Sequence, residues 1–392
     1  MEKKKLIFIT EALWIGGIET ALVNLLNRLD YDRYDVTVLI IRDAQDMAGR
    51  LPEQCRLIVA DRQHAVTFAE PYRYRRLYNL MEEPQHATRL RRLLWHVLRL
   101  TLRAPEARLY SAYLKRQLGG EAFDTAVIYS DRAAEPAVRA VNAGRFLLVY
   151  HHGAMRREYH DGYGYRRAEK VIAVSEALAD KLRAYRPRYA GKIVAINNLT
   201  DIDGVRAKSL EAPEVVFPKG QFPIVSCGRL AEAKGMDLAV DACARLVADG
   251  CADVHWWIVG GGPEEAALRA QIRRLGMERH VTLLGMQANP YPYIRQAELY
   301  VQPSRFEAFG LTIAEAMLLR KPIVTTNTDG SRELVLDGVT GTLCAADGAS
   351  IAAAVRVLYD APQTRARYRQ ALEACDFEAA NRQILQRWTA LL

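Results

Sequence analysis

The 392-residue sequence lacks any stretch of 18 consecutive apolar residues. A helix needs about 20 such residues to cross the hydrocarbon core of a membrane, so the sequence predicts no membrane-spanning helix. Internal repeats and low-complexity tracts are also absent, which excludes a solenoid and a disordered chain. With an ordinary apolar content, a chain of this length is expected to form two or three domains with separate cores.

Closely spaced cysteines are missing as well. The six cysteines show no C-x-x-C spacing and mostly lie in apolar surroundings (Cys55, Cys227, Cys243, Cys251, Cys344 and Cys375). This pattern favours reduced, buried thiols and predicts a cytoplasmic protein. A signal peptide is not predicted, because Glu11 ends the first apolar run and no small-residue cleavage site follows. We expect Leu6–Thr10 to be the first buried strand.

Several familiar site patterns are incomplete. A dinucleotide-binding turn at Gly260–Gly262 would need a small residue at position 265, where Glu265 stands. His151, His152 and His160 do not make a good zinc ligand set. No Ser-His-Asp arrangement is recognisable by spacing. The sequence therefore predicts neither NAD binding nor a metal site.

Alternating strand and helix patterns divide the chain into two halves, which predicts an α/β fold with parallel sheets and right-handed crossovers. The strand candidates of the first half are Leu6–Thr10, Asp35–Ile41, Arg56–Val59, Thr125–Tyr129, Phe146–Tyr150, Lys170–Val174 and Lys192–Ile196. Those of the second half begin at Ile224, Trp256, Val281 and Leu299. Ser209–Pro223, with three prolines and a glycine, predicts a linker. We expect domains over residues 1–208 and 224–375, a linker over 209–223 and a C-terminal helix over 376–392.

The positive charge is concentrated in one segment. The whole chain has a formal charge of +8, and residues 62–118 hold twelve Lys or Arg and four acidic residues, a difference of eight. Within this insert, Arg89–Arg103 predicts a helix with Arg92, Arg99 and Arg103 on one stripe and leucines beside it. Such a basic amphipathic helix is typical of contact with an anionic membrane or a lipid-linked acceptor. A core-packed helix with a solvated arginine face remains open, and nucleic-acid binding is disfavoured because no known module accompanies the charge.

Two glutamates separated by seven residues, Glu307 and Glu315, are the most informative feature present. A tight loop around Gly310 precedes a predicted helix, whose first N–H groups would cradle a diphosphate. Carboxylates repel a diphosphate but accept hydrogen bonds from hydroxyl groups. The segment therefore suits a diphosphate between two polyols, which describes a nucleotide sugar. An ordinary helix with surface glutamates is the alternative from this segment alone.

Other candidate residues follow strand ends of the second half. Arg229 and Lys234 come after the strand that begins at Ile224, and the Gly260–Gly262 turn follows the next one. Ligands of open parallel sheets gather where the carboxyl ends of the strands meet their loops. We expect these residues to converge with Glu307 and Glu315 on one crevice, where the two cations would offset the charge of a departing diphosphate.

Taken in order, the motifs resemble glycosyltransferase family 4, the retaining GT-B enzymes that use nucleotide-activated sugars. The resemblance covers the chain from about residue 6 to about residue 345. Its pieces are Gly16-Gly17 with Glu19, His151/His152, Val174–Glu176, Asn198–Asp201, Gly228–Leu230 with Lys234-Gly235, Gly260–Pro263, Glu307 with Glu315, and Gly330 with Glu333.

The resemblance implies two Rossmann-like domains that face each other across a cleft, with Phe377–Leu392 crossing back onto the first. It also implies a metal-independent retaining transfer from a UDP- or GDP-sugar to a glycolipid or surface polysaccharide, with an α-linked product and no protein nucleophile. No cofactor is expected.

The same resemblance assigns the site residues. The diphosphate would lie against Arg229, Lys234, Gly262 and the amides of Phe309, Gly310 and Leu311. Glu315 would bind the ribose, and Glu307 would contact the sugar hydroxyls or the phosphate–sugar bridge. Gly16 and Gly17 open a helix, predicted over Glu19–Leu29, where small residues let substrate approach backbone amides. A plain loop-to-helix turn is the alternative there. His151 or His152 would position the sugar or acceptor, and we favour His151 as the one that faces the cleft.

Two departures from the family stand out. Arg320 occupies a position where the family often has glycine, which is expected to change only a helix end. An acidic residue is missing near Gly153, which leaves the acceptor open. A sugar phosphorylase or nucleotide-sugar epimerase of the same fold is an alternative activity, and a catalytically silent partner subunit is another class of explanation.

Overall fold

The computed structural model describes residues 2–60, 111–130, 134–151 and 162–392. Most of the basic insert, the predicted helix Arg89–Arg103 and His152 lie outside these residues. Within the described ranges, no helix is long and apolar enough to cross a membrane.

The described part of the first half contains a seven-stranded parallel sheet in the order β3-β2-β1-β4-β5-β6-β7. Its strands are β1 Lys4–Thr10, β2 Tyr34–Ile40, β3 Arg56–Val59, β4 Ala122–Ile128, β5 Asn142–Tyr150, β6 Lys170–Ala173 and β7 Ile193–Ala195. The central strand β1 pairs with β2 and β4, placing Leu6 opposite Val36 and Thr125. Its side chains Leu6 to Ile9 are fully buried, because both faces of the sheet are covered.

Helices lie between most of these strands. They are α1 Gly17–Leu26, α2 Ala134–Ala140, α3 Gly162–Arg167, α4 Glu176–Tyr185 and α5 Ile202–Ser209. Two have side-chain caps that fix where they begin. Ser175 accepts a hydrogen bond from Leu178 N at the start of α4, and Asp201 accepts one from Gly204 N at the start of α5. Residues 111–117 are also helical, and Ala48–Arg50 forms a 3-10 turn after β2.

The second half contains a six-stranded sheet among the described residues, in the order β10-β9-β8-β11-β12-β13. Its strands are β8 Phe222–Cys227, β9 Val254–Val259, β10 Val281–Gly285, β11 Leu299–Gln302, β12 Ile323–Thr326 and β13 Gly341–Cys344. The later helices are α6 Met236–Ala248, α7 Glu265–Arg274, α8 Tyr291–Gln296, α9 Leu311–Leu318, α10 Asp329–Leu334, α11 Gly348–Asp360, α12 Pro362–Glu373 and α13 Phe377–Leu391. The strands of this sheet are parallel too.

The predicted α/β fold with two parallel sheets is confirmed, with differences at element ends. Helix α1 covers Gly17–Leu26, two residues earlier at its start than predicted, and β8 begins at Phe222. Strands β12 and β13 were not predicted. Each has only four residues, and pairing with the neighbouring strand, more than its own sequence pattern, makes it a strand.

The C-terminal helix α13 returns to the first half, as expected. Trp388 is buried in the core of the first sheet, and its ring lies 6.4 Å from that of Tyr129. Asn381 exchanges hydrogen bonds with the backbone of Thr200 at 3.2 and 2.8 Å. These contacts tie the end of the chain to the segment that leads from the first sheet into the second.

The departure at Arg320 lies just beyond the end of α9. Its backbone has a φ of 57°, in the left-handed region that glycine adopts without steric cost. The guanidinium of Arg320 donates a hydrogen bond to Glu373 at 2.9 Å. The position is a helix end, as the sequence predicts, and the arginine is held there by an exposed ion pair.

Candidate active site

The loops after β8, β9 and β11 meet at the carboxyl edge of the second sheet. Leu230 N donates to Gly261 O at 2.9 Å, which joins the first two loops. Ala233 O accepts from Arg305 N at 2.8 Å and from Phe306 N at 3.1 Å, which joins the first loop to the third. The structure therefore brings together the loops that carry Arg229, Lys234, Gly262 and Glu307.

Close backbone packing explains the glycines of these loops. Gly260 has a φ of 146°, and a side chain on it would overlap the carbonyl of Gly228. A Cβ on Gly262 would lie 2.8 Å from Leu230 N, closer than real Cβ contacts. These two glycines permit the loops to touch, which is a structural reason for them whether or not a phosphate binds there.

Lys234 and Glu307 form the central ion pair of the site. Nζ of Lys234 donates to Oε2 of Glu307 at 2.6 Å, and the hydroxyl of Ser304 donates to the same oxygen at 3.2 Å. The side chains are 28% and 11% exposed respectively. Lys234 is placed by a 3-10 turn that ends at Gly235 in the left-handed region. The pair is thus half-open, with the carboxylate covered and the ammonium accessible.

Arg229 lies differently from Lys234. Arg229 is exposed, and no residue in the described ranges forms an ion pair with it. Arg229 lies in the same loop as Lys234, and none of the described residues neutralises its charge, so it is available to an anionic ligand at this edge of the sheet.

Helix α9 begins in the arrangement that the sequence predicts. Gly310, with a φ of 93°, precedes Leu311, and the first amides of the helix have no partner within it. Phe309 and Leu311 are buried in the core of the first half. Gly330 N donates to Glu307 O at 2.9 Å, and a Cβ on Gly330 would lie 2.6 Å from the Cα of Phe309. Helix α10 therefore supports the loop before α9 from behind.

Glu315 projects from α9 into a buried environment. It is 5% exposed, and Oε1 accepts a hydrogen bond from the hydroxyl of Tyr291 at 3.0 Å. Burial raises the pKa of Glu315 to about 7, with the charge of Asp201 adding to the rise, whereas the Tyr291 hydrogen bond and the charge of Arg50 lower it. The carboxylate is therefore poised between its two protonation states near neutral pH.

The predicted residues of the first half lie at the carboxyl edge of its sheet. Gly16 precedes α1 and Gly17 begins it, and Oε2 of Glu19 would lie 2.6 Å from a Cβ on Gly16. Burial raises the pKa of Glu19, and the nearby charge of Glu11 adds to that rise. His151 is half-buried after β5, with its ring 4.8 Å from that of Tyr129. His152 lies outside the described residues.

The two halves touch beside these groups. Glu333 accepts hydrogen bonds from Ala177 N at 2.8 Å and from Asn197 Nδ2 at 3.2 Å. Lys181 forms an ion pair with Asp329. These contacts hold α10, and with it the loop before α9, against helix α4 of the first half.

Two residues near Glu315 were not found by sequence reasoning. They are Tyr291 and Arg50, the latter donating to Ala288 O from the first half at 3.2 Å. Neither belongs to a spacing pattern, so only the folded chain reveals them. Within the described ranges, no group of three His, Cys, Asp or Glu side chains is placed to hold a metal ion.

Comparisons with known proteins agree with this geometry. The sequence model described as Glycosyltransferase Family 4 matches residues 15–203, and the one described as Glycosyl transferases group 1 matches residues 221–361. The chain belongs to glycosyltransferase family 4. Together the two matches include every predicted site residue and every strand of the two sheets except β1.

Two relatives with named activities are moderately similar to the chain. The chain is 27% identical over 246 residues to an alpha-D-kanosaminyltransferase of Streptomyces kanamyceticus, covering 59% of this chain and 63% of the relative. It is 31% identical over 243 residues to the lipopolysaccharide core biosynthesis mannosyltransferase LpsB of Rhizobium meliloti, covering 57% and 65%. The matches thus span less than two thirds of these relatives' own lengths.

A solved structure of Anabaena HepE in complex with UDP and glucose has the same fold. It superposes with a TM-score of 0.71 at 20% identity, covering 99% of this chain and all of HepE. At this identity the likeness establishes the GT-B fold of the family-4 chain.

Proposed function

We propose that this family-4 chain is a retaining glycosyltransferase that moves a sugar from a nucleotide-sugar donor to a glycolipid or surface-polysaccharide acceptor. The observation that carries the proposal is the Lys234–Glu307 pair at 2.6 Å, with Arg229 exposed in the same loop as Lys234 and Glu315 buried on α9, the helix that follows Glu307. Cations for a diphosphate and carboxylates for hydroxyl groups lie together there.

In this proposal each group has a separate task. Lys234 and Arg229 bind the diphosphate and offset the charge that grows on it as the sugar leaves. The amides of Phe309, Gly310 and Leu311 add donors at the helix start. Glu307 orients the sugar or the bridging oxygen, since its carboxylate is already held by Lys234 and Ser304. The two cations take the part that a metal ion has elsewhere, so we propose that no metal is required.

The acceptor attacks from the first half, on the face that the nucleotide leaves, which gives an α-linked product without a protein nucleophile. Gly16 and Gly17 at the start of α1 would bind the donor from the first half, and one of His151 and His152 would position the donor sugar or the acceptor. The lipopolysaccharide mannosyltransferase among the relatives supports a glycan or glycolipid acceptor. The HepE complex with UDP and glucose supports a nucleotide-sugar donor, of which UDP- and GDP-sugars are our candidates.

A sugar phosphorylase or epimerase would use a similar fold, and analysis of the products separates these from a transferase. A silent partner subunit would have no chemical need for Arg229, Lys234, Glu307 and Glu315 together. Their convergence at one sheet edge favours an active enzyme.

The donor site is tested by a thermal-shift screen of UDP-, GDP- and ADP-sugars. A ligand at 100 times its Kd should stabilise the protein by about 2.7 kcal/mol. Arg229→Ala should weaken binding of the best sugar nucleotide by roughly ten- to hundredfold, because a charge-assisted hydrogen bond contributes about 1.5–3 kcal/mol. Arg274→Ala, an exposed arginine at the end of α7, is the control and should bind normally. Stabilisation by none of the sugar nucleotides would refute the proposed donor class.

We also propose that the basic insert over residues 62–118 brings the enzyme to an anionic membrane surface, as a peripheral protein. The charge of that segment supports this, since each Lys or Arg near such a surface contributes about 1 kcal/mol. Replacing Arg92, Arg99 and Arg103 with glutamine should release the protein from anionic vesicles in a flotation assay while leaving donor binding unchanged. If wild-type protein does not bind anionic vesicles even at low salt, the insert is an ordinary packed subdomain, and a soluble acceptor is favoured.

A further inference from the structure

Tyr291 holds one oxygen of Glu315. It is the first residue of α8, and its backbone N–H is fixed by Oδ1 of Asn289 at 3.2 Å. Its hydroxyl donates to Oε1 of Glu315 at 3.0 Å. Among the residues that the structure describes, no donor reaches Oε2 of Glu315. One carboxylate oxygen is therefore held in place while the other is left to a ligand.

Arg50 reaches the same region from the first half. Its own carbonyl accepts from Asn27 Nδ2 at 3.2 Å, which anchors the 3-10 turn after β2. Its guanidinium donates to Ala288 O at 3.2 Å, in the loop immediately before Tyr291. Arg50 and Ala288 are 238 positions apart in the chain and belong to different halves, so this hydrogen bond crosses the cleft between the halves.

We propose that Tyr291 and Arg50 are positioning residues of the nucleotide site: Tyr291 fixes Oε1 of Glu315 so that Oε2 meets the ribose hydroxyls, and Arg50 brings a positive charge to that carboxylate from across the cleft. The inference rests on the proposed function, because it presumes a donor nucleotide with its ribose at Glu315. It adds a further contribution from the first half, besides Gly16 and Gly17, to a donor site built mainly from the second.

The charges around Glu315 show why two such residues matter. Burial and Asp201 oppose its ionised form, whereas Tyr291, Arg50 and Lys208 favour that form. Two further titratable groups face it, namely the thiol of Cys227 on β8 and the phenol of Tyr300 on β11. A ribose hydroxyl donates its hydrogen bond best to the ionised carboxylate. Loss of Tyr291 or Arg50 therefore weakens ribose binding without removing any atom that touches the ribose.

A pH dependence follows, and its direction is fixed. The pKa of Glu315 in the empty site is about 7, so ligand binding to the ionised form strengthens as the pH rises through 7 and then levels off. The affinity should rise about tenfold between pH 6 and pH 8. Tyr291→Phe and Arg50→Gln should move this rise to higher pH, since both residues lower the pKa of Glu315 in the native protein.

The test uses isothermal titration calorimetry of the full chain with UDP, GDP and ADP and with their 2′,3′-dideoxy counterparts, from pH 6 to pH 8.5. The ratio of ribose to dideoxyribose affinity isolates the ribose contacts, because titration of the terminal phosphate cancels. In Tyr291→Phe and Arg50→Gln this ratio should fall about threefold at pH 7.5 if the midpoint moves from 7 to 8. Arg50→Lys keeps the charge and should stay close to wild type. Arg188→Gln, at an exposed arginine in the 3-10 turn between α4 and β7, is the matched control.

The outcomes separate this inference from the function on which it rests. A ratio that rises with pH in wild type, and rises later in both variants, supports the assignment. Nucleotide binding with the same pH profile in wild type, Tyr291→Phe and Arg50→Gln overturns it while leaving the glycosyltransferase proposal standing. Binding of no nucleoside diphosphate overturns both. Circular dichroism of each variant shows that a changed ratio does not come from unfolding.

Discussion

Replacing Lys234 with alanine is expected to lower the rate of sugar transfer by about 10²–10³-fold, the usual effect of removing one preorganised electrostatic donor from an active site. Lys234 lies 2.6 Å from Glu307 and is the more accessible partner of that pair. Its loss takes a cation from the leaving diphosphate. It also leaves the largely covered carboxylate of Glu307 without a counter-charge, which repels the anionic donor.

Steady-state kinetics with the cognate donor measures this effect, and kcat should fall more than KM rises because the charge on the leaving group is greatest in the transition state. Lys234→Arg should recover part of the rate, while Arg274→Ala at the exposed end of α7 should keep all of it. EDTA should not change the wild-type rate. A Lys234→Ala enzyme with wild-type kcat would show that this lysine serves the ion pair and not the reaction.

Sequence patterns were sufficient for most strands of the two sheets and for the convergence of the loops that carry the candidate site residues. Buried parallel strands are continuous apolar runs, so Leu6–Ile9 and Trp256–Val259 could be recognised without any knowledge of their neighbours. Since such strands end at the same edge of a sheet, Arg229, Lys234, Gly262 and Glu307 could be placed together as well.

The details of that site depend on contacts between distant segments, which spacing does not encode. The ion pair of Lys234 with Glu307 joins residues 73 positions apart. The packing of Gly330 behind Phe309 depends on how α10 lies against a loop. Arg50 belongs to the other half altogether. Such contacts arise from tertiary packing. The four-residue strands β12 and β13 were missed for a related reason, because pairing with neighbouring strands, and not their own length, makes them strands.

Replacing the buried Glu315 is expected to have the second large effect, because the protein should become more stable and lose function. In the native protein its pKa is about 7, above the 4.5 of an ordinary glutamate, because burial penalises the charge. The native state therefore holds the proton more tightly than the unfolded state. The sign follows directly: stability is lost as the pH rises from about 4.5 through 7, and the loss stays in full above 7.

Glu315→Gln removes that penalty, since the amide carries no charge and still accepts the hydrogen bond from Tyr291. At pH 8 the variant should be more stable than wild type by about 2–3 kcal/mol, whereas at pH 5 the difference should be less than about 1 kcal/mol. Nucleotide binding should weaken by roughly ten- to hundredfold at pH 8, because the ribose loses a charged acceptor.

Urea denaturation followed by tryptophan fluorescence at both pH values measures the stability, and calorimetry with the cognate nucleotide measures the binding. Asp347→Asn is the contrasting variant. The backbone N–H of Ser350 donates a hydrogen bond to the fully exposed Asp347 carboxylate and lowers its pKa, so removing this charge should not stabilise the protein at pH 8. If Glu315→Gln is less stable than wild type at pH 8, contacts of the carboxylate stabilise the protein by more than its burial destabilises it. The main role of Glu315 is then to stabilise α9 and not to bind the ribose.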